Sequence, residues 1–410
     1  MSRFPALAET PFRRYFFGQS IALVGGFAHN VALSWLAYRL SGSTLVLGIV
    51  GFAMLAPTLI VSPLAGLLAD RYPRRRLLLI VLGAVCVQCL LLAALAFTGW
   101  ISTPGLIAIA LLRGVLFAVE IPVRHAFLAD LVGDRKLLPN AVALHSSALN
   151  GARFVGPAIG GLIIAGAGEA WCFLLHALTL CATLLQIWRI RSVGAPRAAS
   201  GKGFLLDYVD GWRYAFGDPV IARLLLGVFV LGFAVAPYTF LMPAAVAQAF
   251  GPHPELVGWF LSAAGFGAMV AALALAVHHG SRRLQGVAVA GSAVAGAGLL
   301  AFSLSPWVGL SLAAMACVGL GTIAQAAATN MTIQSLVNDT QRGRVMAIYT
   351  AMFLGAMPLG SLAFGQLGQA IGATRALGVG ALLALAGATL GALRLHRASH
   401  PPGAPGTART

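Results

Sequence analysis

The stretch Gly66-Leu67-Leu68-Ala69-Asp70-Arg71-Tyr72-Pro73-Arg74-Arg75-Arg76 sets one acid and four arginines between two long apolar runs, residues 43–69 and 77–98. Each run reaches the roughly 20 apolar residues needed to cross a bilayer, where backbone N–H and C=O groups must be bonded within the segment. The stretch therefore reads as a tight basic turn between two membrane-spanning helices. The same alternation continues in both directions. Polar breaks divide the chain into helices expected near 15–39, 43–69, 77–98, 104–129, 139–166, 170–188, 220–249, 255–277, 284–303, 307–334, 343–369 and 373–393.

Composition agrees with this reading. Of 410 residues, 59% are hydrophobic and 9% charged, whereas soluble domains carry about 25% charged residues. The 49 glycines suit close helix contacts. An even number of spans puts both termini on one side, and 22 of the 27 Lys and Arg residues fall there. Arg39 and Arg375 lie opposite, and Arg113, Arg124 and Arg153 lie inside spans. By the positive-inside rule, both termini are expected in the cytoplasm and the chain in a bacterial inner membrane, multi-pass. This asymmetry accounts for the net charge of +16. No nucleic-acid partner is expected, because that would call for a basic face on a soluble module. Residues 1–16 lack a short apolar core before a cleavage site, so the first span should be retained.

Residues 190–218 form the longest polar stretch and split the chain in two. The expected organisation is a six-helix bundle over 1–189, a cytoplasmic linker over 190–218, a second six-helix bundle over 219–395 and a disordered cytoplasmic tail over 396–410. In the linker, Phe204, Leu205, Tyr208 and Trp212 recur at helical spacing opposite Asp207, Asp210 and Arg213. That pattern suits an amphipathic helix on the inner membrane surface, or a plain tether. An internal repeat supports the split. Leu131-Val132-Gly133-Asp134 after the fourth helix is echoed half a chain later by Leu336-Val337-Asn338-Asp339, and the next helices carry Gly156-Pro157 and Pro358-Leu359-Gly360. The fold class expected is an all-α polytopic membrane protein, with about twelve transmembrane helices in two pseudo-symmetric six-helix bundles around a central site.

The opening loop resembles the signature of the major facilitator superfamily, G-x-L-A-D-R-x-G-R-R, with Pro73 in place of the second glycine. Together with the helix count and the repeat, the resemblance covers nearly the whole chain. It implies that Gly66, Asp70, Arg71, Arg74 and Arg75 gate the transporter by latching helix ends in the outward-open state. Asp70 would sit near the N-terminus of helix eleven, and the arginines would reach Asp130 or Asp134. The plainer reading is a basic loop that only orients the chain. In the second half Arg282-Arg283 remain, with His278 where Asp70 would stand.

Helix four carries Arg113, Glu120 and Arg124, and each mid-span charge costs roughly 2.5–3.5 kcal/mol to insert. Their spacing places all three on one face, where Glu120 can pair with Arg124 one turn away and with Arg113 two turns away. Two readings stay open, a buried ion-pair ladder and a proton carrier at Glu120. Arg113-Gly114 is similar to the superfamily's R-x-x-x-G proton-transfer signature, although glycine follows the arginine directly here. In helix five, Ala152, Gly156, Pro157, Gly160 and Gly161 resemble the antiporter motif G-x-x-x-G-P-x-x-G-G, with Ala152 at its first glycine. The motif implies export, and Leu138-Pro139-Asn140-Ala141 is similar to the drug- and siderophore-efflux branch. Tight helix packing alone is the other reading.

Asn30 in helix one and Gln325 and Asn330 in helix ten are candidates for a substrate cavity, or for interhelical bonds worth about 0.6 kcal/mol each. Cys86, Cys89, Cys172, Cys181 and Cys317 lie in apolar runs, without sequence neighbours suited to a metal. Cys86 and Cys89 form a C-x-x-C that lacks the strand–helix context of a redox motif. No phosphate loop or nucleophile–base set is present, so no enzyme activity, cofactor or metal is expected. The function expected is proton-coupled efflux of small molecules such as drugs or siderophores by a secondary transporter. Its partners would be the substrate, protons and the lipid bilayer, and the chain a monomer. The alternatives are a proton-coupled uptake symporter and, more remotely, a non-transporting membrane receptor.

Overall fold

The computed structural model describes residues 4–190, 204–277 and 284–399, without the side chains of residues 63, 67, 69, 70, 135, 204–209, 276, 277, 340 and 395–399. Readings that fall on Asp70's side chain, on Arg282, Arg283 and His278, on most of the linker and on residues 400–410 lie outside the described residues.

Among those residues the structure is helical with no strand, and twelve helical segments are long and apolar enough to cross a membrane. They run α1 (Thr10–Ser41), α2 (Thr44–Arg71), α3 (Arg74–Thr98), α4 (Thr103–Asp130), α5 (Leu138–Ala167) and α6 (Glu169–Arg189). After α7 (Phe204–Gly217) come α8 (Pro219–Val230) and α9 (Tyr238–Ala249), which form one span. The remaining spans are α10 (Pro254–Val277), α11 (Leu284–Leu304), α12 (Val308–Leu336), α13 (Asp339–Ile371) and α14 (Ala373–Ser399).

Local signals set several boundaries. Ser43 and Ser102 cap α2 and α4 by accepting from Val46 N–H and Gly105 N–H, and Asp218 caps α8 through Val220 and Ile221 N–H. Gly42 and Gly99 end α1 and α3 with φ of 61° and 71°, a left-handed conformation that glycine adopts without penalty. The seventh span is expected as one helix, but a π turn over Leu231–Val235 interrupts it. Pro237 has no N–H to continue the ladder, and Ala236 N–H bonds back to the Leu231 carbonyl. The α14 helix runs past the expected 393 to Ser399.

The linker helix α7 does not stand apart as a tether. Its Ala215 is fully buried in a cluster with Ile221, Val345 and Ile348. Gly211 lies against the Arg344 side chain, so this helix docks on α13.

Within the first half α1 packs on α5 and α6, α2 on α4, and α3 on α4 and α6. In the second half α12 packs on α10 and α11, and α11 on α14. The halves meet through α5 with α10 and α2 with α13. Those contacts gather on the face away from the termini. There Ser43 Oγ donates to Gln369 Oε1 at 2.9 Å, and Gly48 lies against Gly365. A Cβ at Gly258 would lie 2.4 Å from the Pro157 carbonyl oxygen, so the α5–α10 crossing admits no side chain there. Toward the termini, Gly66, Gly151 and Gly343 on the same helices meet nothing within 4 Å. Among the described residues, the close contacts between the halves lie toward the face away from the termini.

Candidate functional site

Glu120 sits mid-way along α4 and is 3% exposed. Arg124 NH2 pairs with its Oε1, and Arg113 NH1 reaches Oε2 at 3.4 Å. The expected ladder is therefore present. Arg113 also lies over the Phe117 ring, 5.4 Å from its centroid. Neither guanidinium is fully satisfied, because the Nε atoms of both arginines are buried without a hydrogen-bond partner. The backbone below the carboxylate is specialised as well. Pro122 lacks the N–H that would bond the Ala118 carbonyl, and Ser62 Oγ of α2 donates to that oxygen at 3.0 Å. Gly114 allows α4 to lie directly on the Ala53 and Met54 carbonyls of α2. The charge ladder is thus clamped to the helix that leads into the basic loop.

The loop itself braces the first half. Arg74 pairs with Asp130 at 2.7 Å and donates to the Ala126 carbonyl at 3.4 Å. Arg75 donates to the Ile187 and Trp188 carbonyls at 3.1 and 2.5 Å, placing a cation at the C-terminal end of α6. Arg71 is exposed at the end of α2, and Gly66 has open space around it. The described contacts tie α3 to α4 and α6.

The helix-five motif has two packing faces. Gly156 and Gly160 lie against Val24, Phe27 and Ala28 of α1, while Gly161 lies against Pro254 and Gly258 of α10. Ala152 is buried at 2% exposure. Pro157 frees the Arg153 carbonyl, and Gly265 of α10 abuts that oxygen. The motif therefore packs α5 against α1 on one face and against α10 on the other. Arg153, half-buried beside it, pairs with no carboxylate among the described residues.

The three cavity candidates are not gathered together. Asn30 is exposed on α1. Gln325 donates to the Gly227 carbonyl at 2.8 Å and lines a cavity of about 80 Å³ between α8, α11, α12 and α14, with Arg223, Ser292 and Thr329. Asn330 accepts from Gln334 Nε2 at 2.6 Å.

The sequence pairs only Cys86 with Cys89, but folding supplies side-chain neighbours on other helices for three cysteines. Cys86 Sγ lies 3.5 Å from Cys181 Sγ, and Cys89 lies between His29 and His176. No sequence pattern joins residues so far apart. The only legible signal is a histidine inside each of two apolar spans.

A family model described as transmembrane secretion effector matches residues 1–401. The staphyloferrin A transporter of Staphylococcus aureus is 30% identical over 375 residues, covering 89% of this chain and 92% of that protein. The multidrug efflux pump Tap of Mycolicibacterium fortuitum is 27% identical over 350 residues, covering 83% and 85%. Among solved structures, a bacterial homologue of the human lysosomal transporter Spinster superposes with a TM-score of 0.74 at 13% identity, covering 98% of this chain and all of that one. The shared fold is that of twelve-helix transporters.

Proposed function

This chain belongs to the transmembrane secretion effector family of the major facilitator superfamily, and from that premise we propose that it is a proton-coupled exporter of anionic, amphipathic small molecules. The observation that carries the proposal is Glu120, a buried mid-span carboxylate held between two arginines. When Glu120 is ionised it neutralises one guanidinium. Protonation releases both cations to an anionic substrate, and substrate departure favours loss of the proton. Outside the first and last six residues of their helices, Arg113, Arg124 and Arg153 outnumber the one carboxylate, Glu120, leaving two positive charges mid-span in the first half. That imbalance favours anions, and one relative is named a staphyloferrin A transporter.

With both termini in the cytoplasm, the side that the charge asymmetry favours, the face open to substrate is the inner one. Substrate enters there. The bundles over 1–189 and 219–395 then rock on the α5–α10 and α2–α13 contacts until the outer face opens. In the open-inward state the loop arginines brace the first half through Asp130 and the end of α6. Asp70 would engage the N-terminus of α13 only when the inner face closes. The chain acts as a monomer in the inner membrane, catalyses no chemical conversion and needs no cofactor for this cycle.

The direct test uses inside-out vesicles with an acidified lumen and a labelled carboxylate or catecholate siderophore. Export by proton exchange predicts accumulation in the lumen, abolished by a protonophore. Accumulation in intact cells instead, driven by the same gradient, would establish uptake symport and contradict the proposal.

A further inference from the structure

Three helices of the first half bring their soft side chains to one point. Cys89 Sγ of α3 lies 3.8 Å from His29 Nδ1 of α1 and 3.5 Å from His176 Nδ1 of α6. The three potential ligand atoms lie within 4.8 Å of one another. Exposures of His29, Cys89 and His176 are 0%, 0% and 3%, and His29 Nε2 is buried with no hydrogen-bond partner. The transport cycle described above uses none of these groups.

We propose that His29, Cys89 and His176 form a binding site for a single copper(I) ion that ties α1, α3 and α6 together. Geometry is the first argument. A first-row ion binds thiolate sulfur at about 2.3 Å and imidazole nitrogen at about 2.0–2.1 Å, which in a three-coordinate site puts sulfur and nitrogen about 3.6–3.8 Å apart. The two Cys–His separations already lie close to that range.

Charge selects the ion. Thiolate with imidazole suits copper(I) and zinc(II) alike. Zinc(II) with one thiolate and two neutral imidazoles would leave a net positive charge in a dry site, which is costly. Copper(I) with the same ligands is neutral. Zinc also wants a fourth ligand, and the further polar atom at the sulfur is the Gln88 amide oxygen at 3.7 Å, a poor one for a soft ion. On binding, the Cys89 thiol loses its proton to solvent as the sulfur–copper bond forms, and copper stays monovalent, so no oxidant or reductant is needed.

The test uses full-length protein in detergent, anaerobic and reduced, titrated with copper(I) against a chromophoric copper(I) chelator. The expected result is one ion per chain, with an X-ray absorption shell containing both nitrogen and sulfur. Cys89→Ser should weaken binding at least about tenfold while the protein remains monodisperse, and Cys86→Ser should leave binding unchanged. Three results would overturn the proposal: no copper(I) retained above the Cys89→Ser background, a sulfur-only shell lost in Cys86→Ser, which would place the ion on the Cys86–Cys181 pair, or displacement of copper(I) by equimolar zinc(II).

Discussion

The two halves of the molecule share helix order and close glycine contacts, but they differ in what they place at mid-membrane. In the first half, Arg113, Glu120, Arg124 and Arg153 stand deep in spans, beside a buried His–Cys–His cluster. In α8 to α14, the charged residues Arg223, Glu255, Asp339, Arg342, Arg344, Arg375, Arg394 and Arg397 all stand in the first or last six residues of their helices. The second half's interior is joined by neutral groups instead. Gln325 donates to the Gly227 carbonyl, and the Tyr349 hydroxyl donates to the Ala326 carbonyl at 2.9 Å. The described mid-span charges lie in the first half, and the second half's described interior bonds are neutral.

Stability measurements can break that contrast. Glu120→Leu strands two buried guanidinium groups, and loss of one partner of a buried ion pair costs about 3–5 kcal/mol. Its melting temperature in detergent should fall far, and the double change Glu120→Leu/Arg124→Leu should recover part of the loss. A melting curve for Glu120→Leu that overlays the wild type would remove the ionic distinction between the halves.

The packing between the halves comes next in size. In Gly258→Ala the new methyl meets the Pro157 carbonyl, and overpacking of this kind costs about 1–3 kcal/mol. Transport should fall with it, because the halves cannot close there. Gly151→Ala, where nothing lies within 4 Å, is the matched control, with stability and transport unchanged. If both substitutions behave alike, the close contacts do not lie on the face away from the termini.

Smaller effects sharpen the comparison at single bonds. Ser62→Ala leaves the Ala118 carbonyl unpaired beneath Glu120 and should cost about 1 kcal/mol, read as a shift in thermal melting. Gln325→Leu in the second half should cost about 0.6 kcal/mol and leave proton coupling untouched. A loss of coupling in Gln325→Leu would show that the second half shares the ionic work.

What the sequence discloses depends on how local each feature is. The twelve spans and the Arg113–Glu120–Arg124 ladder are legible because hydropathy and the spacing along one helix face determine them. Gly156-Pro157 is legible as a packing element, yet its partners, Phe27 on one side and Gly258 on the other, come only from helix order in space. The π turn after Val230 is not legible, since it arises from Pro237 together with the close approach of Gly232 to the Phe353 carbonyl. Gln325 reads as a cavity residue by polarity alone, whereas its helix face turns it toward Gly227 and a side crevice. Cys89 is the strongest case. Its C-x-x-C neighbour Cys86 draws attention along the chain, while its actual partners lie on two other helices.

The central claim is that Glu120 couples proton movement to substrate export, and the most direct test is a pair of assays on Glu120→Gln in proteoliposomes. The account predicts that the variant still exchanges labelled for unlabelled substrate across the bilayer but no longer accumulates it against a gradient when a pH difference is imposed. Uphill, protonophore-sensitive accumulation at the wild-type rate in Glu120→Gln would contradict it and leave the carboxylate as a structural counter-ion to Arg113 and Arg124.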